Sequence, residues 1–213
     1  NIFGVLGKRW AMNIELQRRF GRFLASGIAV LLAGARLLAE DWLQWRGPDR
    51  SNASRETGLL KQWPTNGPPL SWRVTGIGLG IHSVSVAGGR VFAVGNRDGG
   101  EFVFALDART GEKLWATRAD NSIQESALMR WLTQRSPTVD GDRLYTFTAN
   151  GELLCLRVGD GQKVWQRKYP MDFGARRPPW GFTDHPLVDG ERLICSPLTT
   201  HAAIAALDKH TGE

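Results

Sequence analysis

"ALDARTGEKLW" at residues 105–115 decides the fold. It returns in altered form as "CLRVGDGQKVW" at 155–165, and again as "ALDKHTGE" at 206–213. A second segment recurs in step with it: "VAGGRV" at 86–91, "VDGDRL" at 139–144 and "VDGERL" at 188–193. This second set is spaced by 53 and 49 residues, and Trp115 and Trp165 stand 50 apart. Two separate anchors sharing one period indicate a repeat architecture, in which each unit buries its faces against its neighbours.

Each unit holds four short β-like runs. In the first these are "SVSVA" (83–87), "RVFAV" (90–94), "FVFAL" (102–106) and "KLWAT" (113–117), all rich in β-branched or aromatic residues. "AGG", and "DG" in later units, separates the first two runs and predicts a tight hairpin. "DARTGE" separates the last two, where Gly111 is expected in the left-handed conformation and Asp107 and Thr110 are expected to bond turn amides. Four antiparallel strands per period of this length predict an all-β fold, a β-propeller of four-stranded blades with about three blades present. The blades are expected at 83–118 and 136–168, with a truncated one at 185–213. The third copy stops three residues before its Trp would fall, so the reading expects a longer protein. The first-to-second and third-to-fourth turns share one face of a propeller. The second-to-third turns and the links between blades, 119–135 and 169–184, share the other, which is the face expected to carry function.

The leading residues have a different character. The net charge is +6, of which +5 lies in residues 1–39, from Lys8, Arg9, Arg18, Arg19, Arg22 and Arg36 against Glu15. The remainder is close to neutral, which argues against nucleic acid as a partner. Arg18, Arg19 and Arg22 precede the apolar run "FLASGIAVLLAGA" at 23–35, and small residues follow. This is the pattern of an export signal, starting from Met12, with cleavage after Ala35 or Ala39. The run is too short to span a bilayer. An exported, periplasmic or extracellular protein with no stable membrane span after cleavage is therefore expected. Cys155 and Cys195 occupy different repeat positions and read as small apolar strand residues, although an exported protein could pair them. No CxxC, HExxH or phosphate-binding loop is present.

"A-x-D-x-x-T-G-x-x-x-W" resembles the tryptophan-docking repeat of pyrroloquinoline-quinone-type (PQQ-like) β-propellers. Residues 105–115 match it at every specified position, whereas 155–165 keep Gly161 and Trp165 but carry Cys155, Arg157 and Asp160 in place of Ala, Asp and Thr. The stretch "DWLQWRGPDRSNASRETGLLKQWP" at 41–64 is similar to the opening of secreted bacterial members. The resemblance covers about 41–213. It implies that Trp115 and Trp165 pack between adjacent blades, and that Trp72 does so on an outer strand that segment 40–82 lends to the closing blade. Asp107, Thr110, Gly111, Gly161, Asp208, Thr211 and Gly212 would be structural turn residues. Some members are PQQ-dependent alcohol dehydrogenases with an adjacent Cys pair, Arg contacts, calcium and an Asp base. This sequence has no adjacent Cys pair and no acidic run with calcium-loop spacing, so no cofactor is evident in it. Other members are scaffolds of the cell envelope.

Aligning the units brings His82, Arg135 and Asp184 to one level at the start of the innermost strand, with His185 next to Asp184. "RRPPWGFTDHP" at 176–186 adds Arg176 and Arg177 as anion donors and Trp180 as a stacking face. These seven residues are the candidates for binding a small polar ligand or another envelope protein; the competing reading is a solvated channel rim. "NRDGGE" at 96–101 reads as a turn, and His201 and His210 as isolated loop residues. The expected function is an exported binding or assembly scaffold. The alternative is a quinoprotein dehydrogenase whose catalytic residues lie in further blades.

Overall fold

A computed structural model describes residues 40–80, 83–121 and 135–213; the export-signal reading of 1–39 and the candidate His82 lie outside them. Three antiparallel sheets follow one another along the chain. The first is β1 (Ser85–Ala87), β2 (Arg90–Arg97), β3 (Gly100–Asp107) and β4 (Lys113–Asn121). The second is β5 (Thr138–Asp140), β6 (Arg143–Phe147), β7 (Glu152–Arg157) and β8 (Lys163–Lys168). The third is β9 (Leu187–Asp189), β10 (Arg192–Cys195) and β11 (Ala205–Asp208). Within each sheet every strand pairs with its sequence neighbour. The innermost strands β1, β5 and β9 lie side by side, so the sheets stand as consecutive blades of a β-propeller.

Blade stacking explains the apolar character of the middle strands. In β7, Leu153 and Cys155 face a core shared with the third blade, through Tyr145, Phe147, Leu193 and Leu207. Leu154 and Leu156 face a core shared with the first, through Phe92, Val103 and Ala105. A strand buried on both faces shows a continuous apolar run rather than alternation. Cys155 and Cys195 are buried and unpaired, and burial pushes their thiols up to about 12 and about 11.

The repeat motif occupies the β3–β4 turn and its equivalents. Asp107 Oδ1 accepts from the N–H groups of Arg109 and Thr110, at 2.9 and 2.8 Å, and Asp208 does the same for His210 and Thr211. In the second blade the altered residues build the turn differently: Arg157 reaches across to Asp160 at 2.7 Å, and Asp160 accepts from the Gln162 N–H. Each motif Trp lies on the turn of the following blade. The Nε1–H groups of Trp72, Trp115 and Trp165 donate to the carbonyls of Ala108, Val158 and Lys209, each at 3.0 Å. Each indole covers a glycine: Gly111, Gly161 and Gly212, all at positive φ. A Cβ on Gly161 would fall 2.5 Å from the Trp115 ring. The residue must be glycine both for its backbone conformation and for the ring's approach.

Several features depart from the sequence reading. β4 continues to Asn121, and a short helix, α1 (Tyr169–Asp172), follows β8. In "NRDGGE" only Asp98 and Gly99 form the turn, both at positive φ as a two-residue hairpin requires. Glu101 therefore belongs to β3 and is buried. The segment before the first blade divides in two. Residues around Trp72 lie on the first blade's turn. Residues 40–50 instead run as a strap along the innermost strands. Trp42 exchanges both backbone hydrogen bonds with Val86 of β1, and Leu43 accepts from the Val139 N–H of β5. Arg50 donates to the carbonyls of His185 and Pro186 just before β9. The strap thus satisfies backbone groups that the innermost edges would otherwise leave open.

Trp115→Ala removes both the indole's apolar area and its bond to Val158. It is expected to destabilise the protein by about 3–5 kcal/mol and to lower the melting temperature measured by calorimetry, and Gly161→Ala should lower it through the same contact.

Candidate functional site

The face that carries the β2–β3 turn, the β6–β7 turn and the links between blades brings most of the candidate residues together. Its centre is an ion pair between Arg135 and Glu101. Arg135 precedes β5, Glu101 is the second residue of β3, and both side chains are 1% exposed. Arg135 Nη2 meets Glu101 Oε1 at 2.5 Å, and Nη1 donates to the Phe182 carbonyl at 2.7 Å. Glu101 Oε2 accepts from the Ala149 N–H at 3.1 Å. One pair therefore ties together the first blade, two parts of the second and the loop leading to the third. Burial pushes the Glu101 carboxyl above its ordinary range, and the charge and hydrogen bond of Arg135, with the Ala149 N–H, pull it back. Arg135, a binding candidate by sequence, is thus enclosed and occupied by protein groups.

Asp184 and His185 sit at the entrance to β9. Asp184 accepts from the Tyr169 hydroxyl at 3.1 Å, the Ser196 N–H at 2.7 Å and the His185 N–H at 2.9 Å. Burial pushes the Tyr169 phenol up, which keeps the proton it donates. The His185 ring stacks on Trp45 of the strap and accepts from the Ser136 N–H through Nδ1. Burial holds its pKa below 6.5, so the ring is neutral at pH 7.

The loop 173–186 is mounted on aromatic packing. Phe182 is buried edge-on against Phe147 and Tyr169, with ring centroids 5.6 Å apart in both cases, and its N–H donates to the Ala149 carbonyl. Beyond this anchor the loop turns outward. Pro178, Trp180, Phe182, Asp184, Ser196 and Leu198 line an open pocket of about 360 Å³. Trp180 is 56% exposed and Leu198 76% exposed at its rim. Arg176 is exposed and Arg177 half-buried nearby in sequence. His210 meets Glu191 at 2.9 Å on the opposite face, and His201 is exposed.

Glu101 and Asp184 each accept from two or more protein donors. Among the described residues no three His, Cys, Asp or Glu side chains converge as metal ligands. Patterning does not reveal Glu101, because its burial depends on Arg135, distant along the chain.

Glu101→Leu leaves Arg135 buried and unpaired and is expected to cost about 3–5 kcal/mol. Glu101→Leu with Arg135→Met removes both charges and should recover most of that loss, as read from urea unfolding midpoints.

Residues 10–178 match the protein family described as outer membrane protein assembly factor BamB. The assembly factor BamB of Aliivibrio fischeri is 34% identical over 95 residues, covering 40% of this chain and 22% of that protein. Quinoprotein ethanol dehydrogenase of Pseudomonas putida is 27% identical over 123 residues, covering 52% of this chain and 19% of that protein. The chain spans about a fifth of the length of these relatives. Among solved structures, a europium-containing methanol dehydrogenase superposes with a TM-score of 0.52 at 16% identity, over 68% of this chain and 26% of that one, a likeness of fold. The chain belongs to the matched family, the PQQ-like β-propeller repeat proteins described as outer membrane protein assembly factor BamB.

Proposed function

We propose that this propeller acts as an exported binding scaffold in the cell envelope, and that the loop 173–186 presents its docking surface. The observation that carries this reading is the contrast within the loop. Phe182 is fixed in an aromatic cluster, while Trp180 stands exposed over an open pocket, whose rim Leu198 of the β10–β11 connection completes. A rigidly mounted, exposed aromatic side chain binds with little loss of conformational freedom, and Trp is the residue most enriched among energetic anchors of interfaces. The Aliivibrio relative is an outer membrane protein assembly factor, which is consistent with a protein partner. Arg135 and Asp184 hold the surface in place, and Arg176 and Arg177 flank it in sequence. Among the described residues no helix is long and apolar enough to cross a membrane.

The match to quinoprotein ethanol dehydrogenase supports a second reading, an alcohol dehydrogenase whose catalytic residues lie outside the described residues. One experiment separates the two. The full-length protein is expressed in a bacterial strain lacking its BamB relative, and assembled outer membrane proteins are quantified. The scaffold reading expects recovery by the wild type and its loss, at unchanged protein level, with Trp180→Ala and Leu198→Ser together. Quinone absorbance and alcohol-dependent dye reduction after incubation with PQQ and calcium, without recovery of assembly, would establish the enzyme instead.

A further inference from the structure

The strap of residues 40–50 is fastened to the three blades by different chemistry. Backbone hydrogen bonds hold it to the first two, through Trp42 with Val86 and through Leu43 with Val139. Its hold on the third runs through His185. The Trp45 ring lies flat on the imidazole, with centroids 4.9 Å apart and planes inclined by 6°. Arg50 Nη2 donates to the His185 carbonyl at 3.3 Å and the Pro186 carbonyl at 3.0 Å. The Ser136 N–H, at the entrance to β5, donates to His185 Nδ1 at 3.2 Å. That bond needs a lone pair on Nδ1, so the neutral ring carries its proton on Nε2.

We propose that His185 is a proton-operated latch: the neutral imidazole locks the strap to the third blade, and the imidazolium releases residues 45–50. The added proton has one place to go, the Nδ1 lone pair. There it turns an acceptor into a donor that faces the Ser136 N–H, and the bond is lost. Three charged groups act on the ring: Asp184 on its own segment, Arg50 on the strap and Arg135 before β5. Arg46 adds positive charge on the strap, 5.4 Å from the Trp45 ring centroid. The indole face tolerates a cation, and Asp184 attracts one. Asp184 already accepts from Tyr169, Ser196 and the His185 N–H. Burial and the two arginines oppose the imidazolium, and burial is the largest of these influences.

The direction follows from linkage. The folded ring has a pKa below the ordinary 6.5, so the folded state binds fewer protons than the released one. The strap contact is complete above that ordinary value and is lost as the pH falls through the folded pKa. His185 belongs to the same loop as the proposed docking surface, but the latch is argued from the strap contacts and does not require a partner at the pocket.

Hydrogen exchange of the full-length protein tests the latch. The amides of Gly47, Arg50 and Asn52 donate to carbonyls within the strap and report its integrity. Corrected for intrinsic chemical rates, their exchange is expected to speed up about tenfold between about pH 7.5 and about pH 5, while residues 152–157 of β7 stay protected. His185→Phe keeps a flat ring against Trp45 and removes the titrating nitrogen, so the step should vanish. A wild type without the step, or a variant that keeps it, overturns the proposal. If His185→Phe does not fold, the ring is titrated by NMR in the wild type. A pKa below 6.5, with the Trp45 indole resonance moving in parallel, supports the latch, and any other result overturns it.

Discussion

The structure depends on an indole lying over a glycine. At Trp72, Trp115 and Trp165 the ring covers the turn of the following blade and its N–H reaches a carbonyl there. The contact joins a nondirectional gain, apolar area removed from water, to a directional one, a hydrogen bond that sets the ring's position. Because the same contact recurs, each blade meets the next in the same way, and the spacing of the sheets is fixed at the outer strands. The leucines, valines and aromatic residues of the inner strands then fill a space whose dimensions are already set. β7 shows the result, with its side chains buried alternately toward one neighbour and the other.

The opposite face of the sheets is organised by charge. Glu101 and Arg135 replace water with one another, the Ala149 N–H and the Phe182 carbonyl. Such a pair adds little net stability over a well-packed apolar substitute, since desolvation offsets most of the attraction. What it supplies is position: a guanidinium has fixed donor directions, so the loop before β9 can meet the second blade in few ways. Phe182, held by Arg135, lies two residues from the exposed Trp180.

The propeller is legible in the sequence because period and turn chemistry are local properties. The glycines, the hairpin signals and the spacing of Trp115 and Trp165 each state a constraint within a few residues or one repeat. Of the seven binding candidates, aligned across separate repeats, the structure brings Arg135, Asp184 and His185 close together. Their partners are another matter. Glu101 stands in a stretch that reads as a turn, and Trp45 stands in the segment before the first blade, far from His185 along the chain. Neither pairing has a local signature, because each forms only when separate blades are stacked. The strap is hidden for a related reason. Its bonds to β1 and β5 use backbone groups, which every residue possesses, so its path leaves no mark in residue type.

The second blade's turn has a consequence for how such rings diverge. Arg157 and Asp160 stand where the first blade has Asp107 and Thr110, yet the turn closes and Gly161 still receives Trp115. The polar half of the motif is therefore exchangeable, while the Gly-to-Trp contact is not. A duplicated unit can drift at its acidic and hydroxyl positions and still join the circle, provided it keeps a small residue to be covered and a large ring to cover the next. In the described blades, the contact that persists when the rest of the turn changes joins two residues that belong to different copies.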